Sequence, residues 1–269
     1  MPDEPEPQHV PAPRYGHGQP PHPELFERIN RRRPAYAEYL RGFLGYAPDL
    51  LAISPHAGQG SAGAEPFWNN GQFPGLDAVG LYGLLCRQKP ERFVEIGSGH
   101  STRFARRAIA DHRLPTRLIS IDPQPRARVD SICDMVVRSR LEETDLSLFS
   151  ELRCGDFVFF DGSHRAGANS DVNVFFLEIL PRLAPGVWVQ VHDIYLPFDY
   201  PPDWMGRDYT EQYLLACHLL SGATKFQIEL PNAFISQDVP LRSILESLWQ
   251  TSPLASVMPH GVSFWIRTV

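Results

Sequence analysis

The chain has 269 residues, of which 43% are hydrophobic and 21% charged, and its net charge is −6. Such a composition is ordinary for a globular protein and leaves room for one large domain or two small ones. The acidic balance offers no basic field, so neither nucleic acid nor an anionic membrane is expected as a partner.

Four cysteines, Cys86, Cys133, Cys154 and Cys217, are widely separated and form no C-x-x-C pair. That pattern suits a reducing compartment better than a disulfide framework or a structural zinc site. With no basic-then-apolar stretch at the N-terminus and no apolar run near 18 residues, a cytoplasmic location is expected.

Residues 1–23 hold eight of the 26 prolines and little to bury, which predicts a disordered tail. Residues 24–75 read as an N-terminal helical cap and loop: a helix with Phe26 and Ile29 on one face, a second opening at Pro34, then a Gly, Pro and Asn-rich loop over 47–75. Arg31-Arg32-Arg33 reads as a solvated helix face. The cap helices also offer a surface for a homodimer.

From residue 76 to the C-terminus, strand and helix patterns alternate. Helices are predicted over Leu76–Lys89, Ser101–Ala110 and around Val172–Leu180, with strands at Arg92–Ile96, Leu118–Ile121, Met135–Val137, Asp156–Phe160 and Val187–Val191. Asp208-Tyr209-Thr210-Glu211 resembles a capping box ahead of a helix over Tyr213–Leu220. Two late strands, Phe226–Leu230 and Val262–Ile266, flank a helix near Leu241–Trp249. Strands separated by helices imply βαβ crossovers. The expected fold is therefore α/β, a Rossmann-like, doubly wound, mostly parallel seven-stranded sheet with an N-terminal helical cap.

Glu95-Ile96-Gly97-Ser98-Gly99-His100-Ser101 stands where the first strand hands over to a helix. Ligands of open α/β sheets bind at such carboxyl ends, and glycines there let a ligand approach the backbone. Asp122 closes the second strand, 122 − 97 = 25 residues after the first glycine, where a carboxylate can accept from ribose hydroxyls. Glu95 adds a carboxylate beside the turn that would repel a pyrophosphate and attract an ammonium group, favouring a cationic nucleoside over a dinucleotide.

Phe93-Val94-Glu95-Ile96-Gly97-Ser98-Gly99, followed by Ile119-Ser120-Ile121-Asp122, resembles the first two motifs of class I S-adenosylmethionine-dependent methyltransferases. The resemblance covers roughly residues 68–268. It implies that Glu95, Gly97, Ser98, Gly99 and Ser101 face the amino-acid part of S-adenosylmethionine, Asp122 its ribose, and the loop at Arg140-Leu141-Glu142 its adenine.

A second constellation lies in Asp161-Gly162-Ser163-His164 and His192-Asp193, which end the fourth and fifth strands. Adjacent parallel strands would bring two carboxylates and two imidazoles to one cleft, a set able to hold a divalent metal or move a proton. The arrangement resembles metal-dependent macrolide sugar O-methyltransferases and the related cephalosporin hydroxylase-like group. That resemblance makes Asp161 a metal ligand, bordering the cofactor, and His164 the general base, with Asp193 completing the metal site. His192 departs from the pattern, which has a carboxylate there; the exchange shifts preference from Mg toward Mn, Fe or Zn and leaves a metal-free enzyme open. Asn169 and Asp171 read as helix caps, while Trp68-Asn69-Asn70-Gly71 and the aromatic stretch Tyr195–Trp204 are candidates to cover the cofactor and the acceptor.

The expected activity is methyl transfer from S-adenosylmethionine to an oxygen of a sugar or other hydroxylated small molecule. Alternatives are a non-haem iron oxygenase using two histidines and a carboxylate, and a non-catalytic cofactor-binding protein.

Overall fold

The computed structural model describes residues 12–58, 64–222 and 225–269. The first eleven residues of the expected tail and part of the loop near residue 60 lie outside the described residues. The chain opens with α1 (Pro23–Asn30), α2 (Arg33–Phe43) and α3 (Ala47–Leu51), the last inside the segment expected to be loop. Then come α4 (Gly75–Gln88), β1 (Arg92–Ile96), α5 (His100–His112), β2 (Arg117–Ile121), β3 (Met135–Val137), α6 (Ser147–Ser150) and β4 (Phe157–Phe160). The remainder runs α7 (Asp171–Val174), β5 (Trp188–Val191), α8 (Glu211–Leu220), β6 (Phe226–Pro231), α9 (Asn232–Gln237), α10 (Val239–Arg242), α11 (Glu246–Trp249) and β7 (Phe264–Thr268).

The seven strands form one sheet in the order β3-β2-β1-β4-β5-β7-β6. β3, β2, β1, β4 and β5 pair in parallel, while β7 runs antiparallel to both neighbours. The chain winds outward from β1 in one direction and from β4 in the other, so the topological switch point lies between them, where α/β sheets open a crevice. β4 and β5 are buried along their whole length, because helices cover both faces. Phe157 packs against Trp188 and Trp265, and Phe160 stacks on Phe175 with ring centroids 4.2 Å apart. Phe175–Ile179 continues α7 as a wider π turn, a departure from the regular amphipathic helix that the spacing predicts.

The register places the functional ends of the strands level. Ile96 stands opposite Ile121 and Phe160, and Phe160 opposite Val191. Backbone bonding continues one residue further: Gly97 N–H donates to Ile121 O (3.0 Å), Asp161 N–H to Ile96 O (2.9 Å) and His192 N–H to Phe160 O (2.9 Å). Gly97, Asp122, Asp161 and His192 consequently share one rim.

The N-terminal helices are part of the same core. Phe43 of α2 lies so close to Gly83 of α4 that a Cβ there would sit 2.2 Å from its ring. Buried Glu229 on β6 accepts from Arg32 (2.9 Å), Tyr39 (3.1 Å), Arg267 (2.9 Å) and Gln227 (2.6 Å), joining α2 to the sheet. Arg33 pairs with Asp238 and Arg31 with Glu27. The arginine run is thus not merely a solvated face: Arg32 and Arg33 fasten the cap, because each finds an acidic partner far along the chain.

Residues 12–22, expected within the disordered tail, instead lie against the loop after β5. Arg14 and Tyr15 N–H groups donate to Asp199 Oδ2 (2.6 and 2.9 Å), and His22 N–H to Pro197 O (2.9 Å). Proline richness masked this contact, since its partner lies more than 170 residues away.

Gly97 is the residue that the turn tolerates least well to change. Its φ is +80°, and an added Cβ would fall 1.8 Å from Asp161 O. Gly97→Ala is expected to cost about 1–3 kcal/mol from backbone strain alone, with the overlap against a strand carbonyl in addition. Chemical denaturation checks this, and an unchanged midpoint would contradict the close approach of β1 and β4 ends.

Candidate active site

A cavity of about 1100 Å³ opens along the carboxyl rim of the sheet. Its wall includes Gly97, Ser98, Gly99, Ser101, Asp122 and Leu141 on the β1–β2 side. On the β4–β5 side it includes Asp161, His164, His192 and Asp193. With strands roughly 4.8 Å apart, the ends of β2 and β5 are separated by roughly 14 Å. One cavity thus joins the two constellations that the sequence singles out.

On the β1–β2 side the hydrogen bonds are specific. Ser98 N–H donates to Asp122 Oδ2 (2.8 Å), and Ser98 Oγ meets Ser120 Oγ at 2.7 Å. Among the described residues, no atom beyond its chain neighbours lies within 4 Å of where a Gly99 Cβ would sit, and the residue lines the cavity. Glu95 requires a correction. It is fully buried behind the turn and is not on the cavity wall. Its carboxyl accepts from Ser101 Oγ (2.6 Å) and from Thr102 Oγ1, bracing the first turn of α5. Glu95 lies inside β1, two residues short of the Gly97 rim, and points between sheet and helix toward α5. Burial, only partly opposed by those hydroxyls, pushes its pKa up to about 7. The attraction for a cation ascribed to Glu95 must come from Asp122, Asp161 and Asp193 instead.

Near the same turn, Trp68 and His100 line the cavity, and buried Trp68 Nε1 and His100 Nδ1 have no hydrogen-bond partner among the described residues. Burial, with help from Arg103, lowers the His100 pKa to about 4, so its ring is neutral.

The β4–β5 side is a cluster of imidazoles and carboxylates. His192 Nδ1 lies 3.4 Å from Asp193 Oδ1 and 3.7 Å from Asp161 Oδ1. One ligand atom from each of Asp161, His192 and Asp193 can be chosen so that all lie within 4.8 Å of one another, close enough to share a metal ion. His164 stands outside this group.

Each histidine is backed by a buried carboxylate to which the sequence assigns no site role. Asp77, in the first turn of α4, lies 3.2 Å from His192 Nε2. It also accepts from the Val262 and Ser263 N–H groups (both 2.9 Å) and from Asn232 Nδ2 (2.8 Å). Glu211, the first residue of α8, lies 2.9 Å from His164 Nδ1. The capping box expected over Asp208–Glu211 does not form, because Glu211 turns to His164 and Thr210 Oγ1 accepts from Ala166 N–H (2.6 Å).

Asn169 and Asp171 also differ from expectation. The cap of α7 is Ser170, while Asp171 accepts from Ser163 N–H (2.7 Å) and so holds the Asp161–His164 turn. Asn169 lines the cavity in the left-handed region (φ +52°), as do His164 (+66°) and Asp193 (+54°). Non-glycine residues rarely adopt that conformation, and their concentration on one cavity wall marks a constrained functional surface.

Burial opposes the charged form of both rings, yet the carboxylates prevail. His164 is raised by Glu211, Asp161 and Asp193, and His192 is raised well above its usual value by Asp193, Asp161 and Asp77. Desolvation works to raise Asp161, but His192 and His164 hold it below the usual carboxylate range. Burial leaves Asp193 above that range. Two imidazoles among four carboxylates gain and lose protons as one unit.

The aromatic stretch closes the far side. Tyr195 and Trp204 lie 5.4 Å apart, Arg207 covers a face of Trp204 at 3.7 Å, and Tyr209 stacks on His164 with centroids 4.2 Å apart. Tyr195, Trp204, Arg207 and Tyr209 all line the cavity.

Residues 94–194 match the family model described as a methyltransferase domain. No curated protein sequence matches the chain. Among solved structures, the O-methyltransferase TomG from Streptomyces achromogenes, involved in tomaymycin synthesis and in complex with SAM, is 16% identical; the match covers 92% of this chain and 98% of that one, with a TM-score of 0.40. SAH-bound PaMTH1 from Podospora anserina is 14% identical, with 95% and 100% covered and a TM-score of 0.41. The O-methyltransferase from Bacillus cereus, in complex with SAH, is 14% identical, with 92% and 96% covered and a TM-score of 0.39. These likenesses are remote, at 14–16% identity.

Because Glu95 holds its proton more tightly when folded than the usual value of 4.5 allows, the stabilisation from protonation is complete below about pH 4.5 and lost as pH rises through about 7. Glu95→Gln removes that dependence. Stability of the wild type relative to the variant is expected to fall by on the order of 3 kcal/mol between pH 4.5 and 8. Denaturant titrations across that range test it, and a constant difference would refute the buried-carboxyl reading.

Proposed function

We propose that the protein transfers the methyl group of S-adenosylmethionine to a hydroxyl oxygen of a small molecule, with His164 as the base. The observation that carries this reading is the single cavity that joins the Gly97–Asp122 side to His164. At about 1100 Å³ it exceeds what most single ligands need, leaving room for methyl donor and acceptor together.

The residues present fit S-adenosylmethionine. Asp122 keeps acceptor capacity for ribose hydroxyls, Leu141 offers an apolar wall for adenine, and Gly97 and Gly99 leave the turn free of side chains. When bound, the sulfonium supplies a methyl carbon open to attack and a neutral leaving sulfur. Asp122, Asp161 and Asp193 favour a cation there electrostatically. His164 takes the acceptor's hydroxyl proton on Nε2 while the oxygen's electron pair bonds the methyl carbon, and the C–S pair leaves on sulfur. The cavity wall supplies the remaining requirement, holding acceptor and methyl in line.

Asp161, His192 and Asp193 also fit a divalent metal. Asp77 on Nε2 orients His192 so that Nδ1 faces the two carboxylates, the outer support that metal-binding histidines commonly have. Two carboxylates and an imidazole suit Mn, Fe or Zn as well as Mg. Such an ion would lower the pKa of an acceptor hydroxyl bound beside His164. A sugar or other hydroxylated natural product is the acceptor class favoured, since Tyr195, Trp204 and Tyr209 give flat faces against which such molecules lie.

Calorimetric titration with S-adenosylmethionine and its demethylated product is the primary test; absence of binding by both would sink the methyl-transfer reading. Asp122→Ala is expected to weaken the product's affinity at least about tenfold. His164→Ala should leave that affinity within about twofold and lower methyl transfer to a panel of phenols and methyl glycosides by about 10²–10⁴-fold. Dialysis against EDTA should lower the rate and added Mn should restore it. A rate indifferent to EDTA, in protein free of metal by mass spectrometry, would remove the metal and leave His164 alone.

A further inference from the structure

We propose that Glu211 is the positioning residue of a Glu–His pair, fixing His164 with the proton on Nδ1 so that Nε2 is the nitrogen presented to the acceptor. The proposal rests on the reading of His164 as the base, but it concerns a residue that is not on the cavity wall and acts only through the ring.

Three contacts immobilise the imidazole. Glu211 Oε1 lies 2.9 Å from Nδ1, a full hydrogen bond between two buried groups. The Tyr209 ring covers one face, with centroids 4.2 Å apart and planes inclined by 20°. The backbone is clasped as well: Thr210 N–H donates to His164 O at 2.8 Å, and Arg165 donates from Nε and Nη2 to Arg207 O at 3.1 and 3.0 Å. Segment 207–211 is thereby committed to the turn that holds His164 in its left-handed conformation.

The other nitrogen is treated differently. Nε2 lies 3.5 Å from Asp161 Oδ1 and 3.8 Å from Asp193 Oδ2, both beyond a direct hydrogen bond. Among the described residues Nε2 forms no hydrogen bond, on a ring that lines the cavity, which is what a proton acceptor requires. Glu211 is placed to enforce this asymmetry. An ionised carboxylate only accepts, so the bond at Nδ1 requires the proton to sit there. Glu211 itself is nearly solvent-free, with 1% of its side chain exposed, and its remaining oxygen accepts from Thr210 N–H at 3.2 Å. A carboxylate desolvated this far needs a donor opposite it, and His164 is that donor. A helix that merely wanted an acidic first turn would leave Glu211 in solvent, where the dipole is served equally well.

The test is ¹⁵N-histidine NMR of the full chain saturated with S-adenosylhomocysteine, with the His164 signals assigned by their loss in His164→Ala. In the wild type, Nδ1 is expected to carry a proton. In Glu211→Ala that proton should redistribute between the two nitrogens. Glu211→Gln is the isosteric second variant, should Ala fail to fold; its amide can donate to Nδ1, so a rise in the Nε2–H form is expected. An unprotonated Nδ1 in the wild type, or tautomers unmoved in both variants, would overturn the proposal. On any phenol or methyl glycoside that proves to be methylated, both variants should lose about 10²-fold or more in kcat. Acceptor KM and the affinity for S-adenosylhomocysteine should change by less than about threefold. A loss of cofactor affinity with an unmoved tautomer would mean that Glu211 only supports the fold. If no acceptor is methylated, the NMR result still decides the pairing, so failure of the methyl-transfer reading and failure of this one are distinguishable.

Discussion

Parallel pairing fixes which residues meet at the rim, and everything at the site follows from it. β1, β2, β4 and β5 are in register, and backbone bonds carry that register one residue past the strands. Gly97, Asp122, Asp161 and His192 stand side by side although they are scattered over almost a hundred residues of chain. The arrangement is intolerant of slippage, because shifting a strand by one residue exchanges its faces and would bury Asp161 or His192 in the helix layer. The Phe157–Phe160 run and its contacts with Phe175, Trp188 and Trp265 make such a shift costly, since each buried aromatic is worth roughly 1.5–3 kcal/mol. Precision at the polar rim is thus set by packing beneath it.

Charge burial is the second constraint. Asp77 and Glu211 have almost no exposed side-chain surface, and an isolated ion at either position would cost several kcal/mol. Each is satisfied by an imidazole on one side and backbone or amide N–H groups on the other. The histidines gain in turn, since the same contacts determine which ring nitrogen faces the cavity. The nitrogen turned toward Asp161 and Asp193 is Nδ1 in His192 and Nε2 in His164. Removing either carboxylate would leave a ring amid acidic neighbours with no fixed orientation. The pairs differ in their ties: Asp77 binds α4 to the start of β7 and to Asn232, whereas Glu211 touches little besides His164 and its own backbone.

Much of this was legible in the sequence, and the rest failed for identifiable reasons. Strands read well because buried parallel strands are continuous apolar runs, and Asp161, His164, His192 and Asp193 could be placed because strand ends share a rim. Glu95 misled because it still lies inside β1, a strand buried on both faces, two residues before Gly97, where Ser101 and Thr102 of α5 take up its carboxyl. Glu211 was hidden by a plausible capping pattern that explained it locally. Asp77 left a usable signal, an acid in the apolar run Gly75–Cys86, since a charge on an otherwise buried helix has to answer to something. The docking of residues 12–22 onto Asp199 left none, because the sequence offers proline and glycine there and the partner is a loop.

The acidic character of the cavity also reads differently once Glu95 is removed from its wall. A carboxyl shifted to about 7 is partly neutral at physiological pH and attracts little. Asp122 remains on the β1–β2 side, while the negative charge of Asp161 and Asp193 is largely answered by His192 and His164, whose protonation they favour. The net field at the centre of the cleft therefore depends on proton occupancy of the cluster rather than on a fixed count of carboxylates. A cation entering the β1–β2 side would lower the tendency of the nearby imidazoles to stay protonated, since like charges oppose one another across a low-dielectric cleft. On the proposed reading of His164 as the base, occupancy by a sulfonium would thereby help to free its Nε2, linking arrival of the methyl donor to readiness of the base through electrostatics alone.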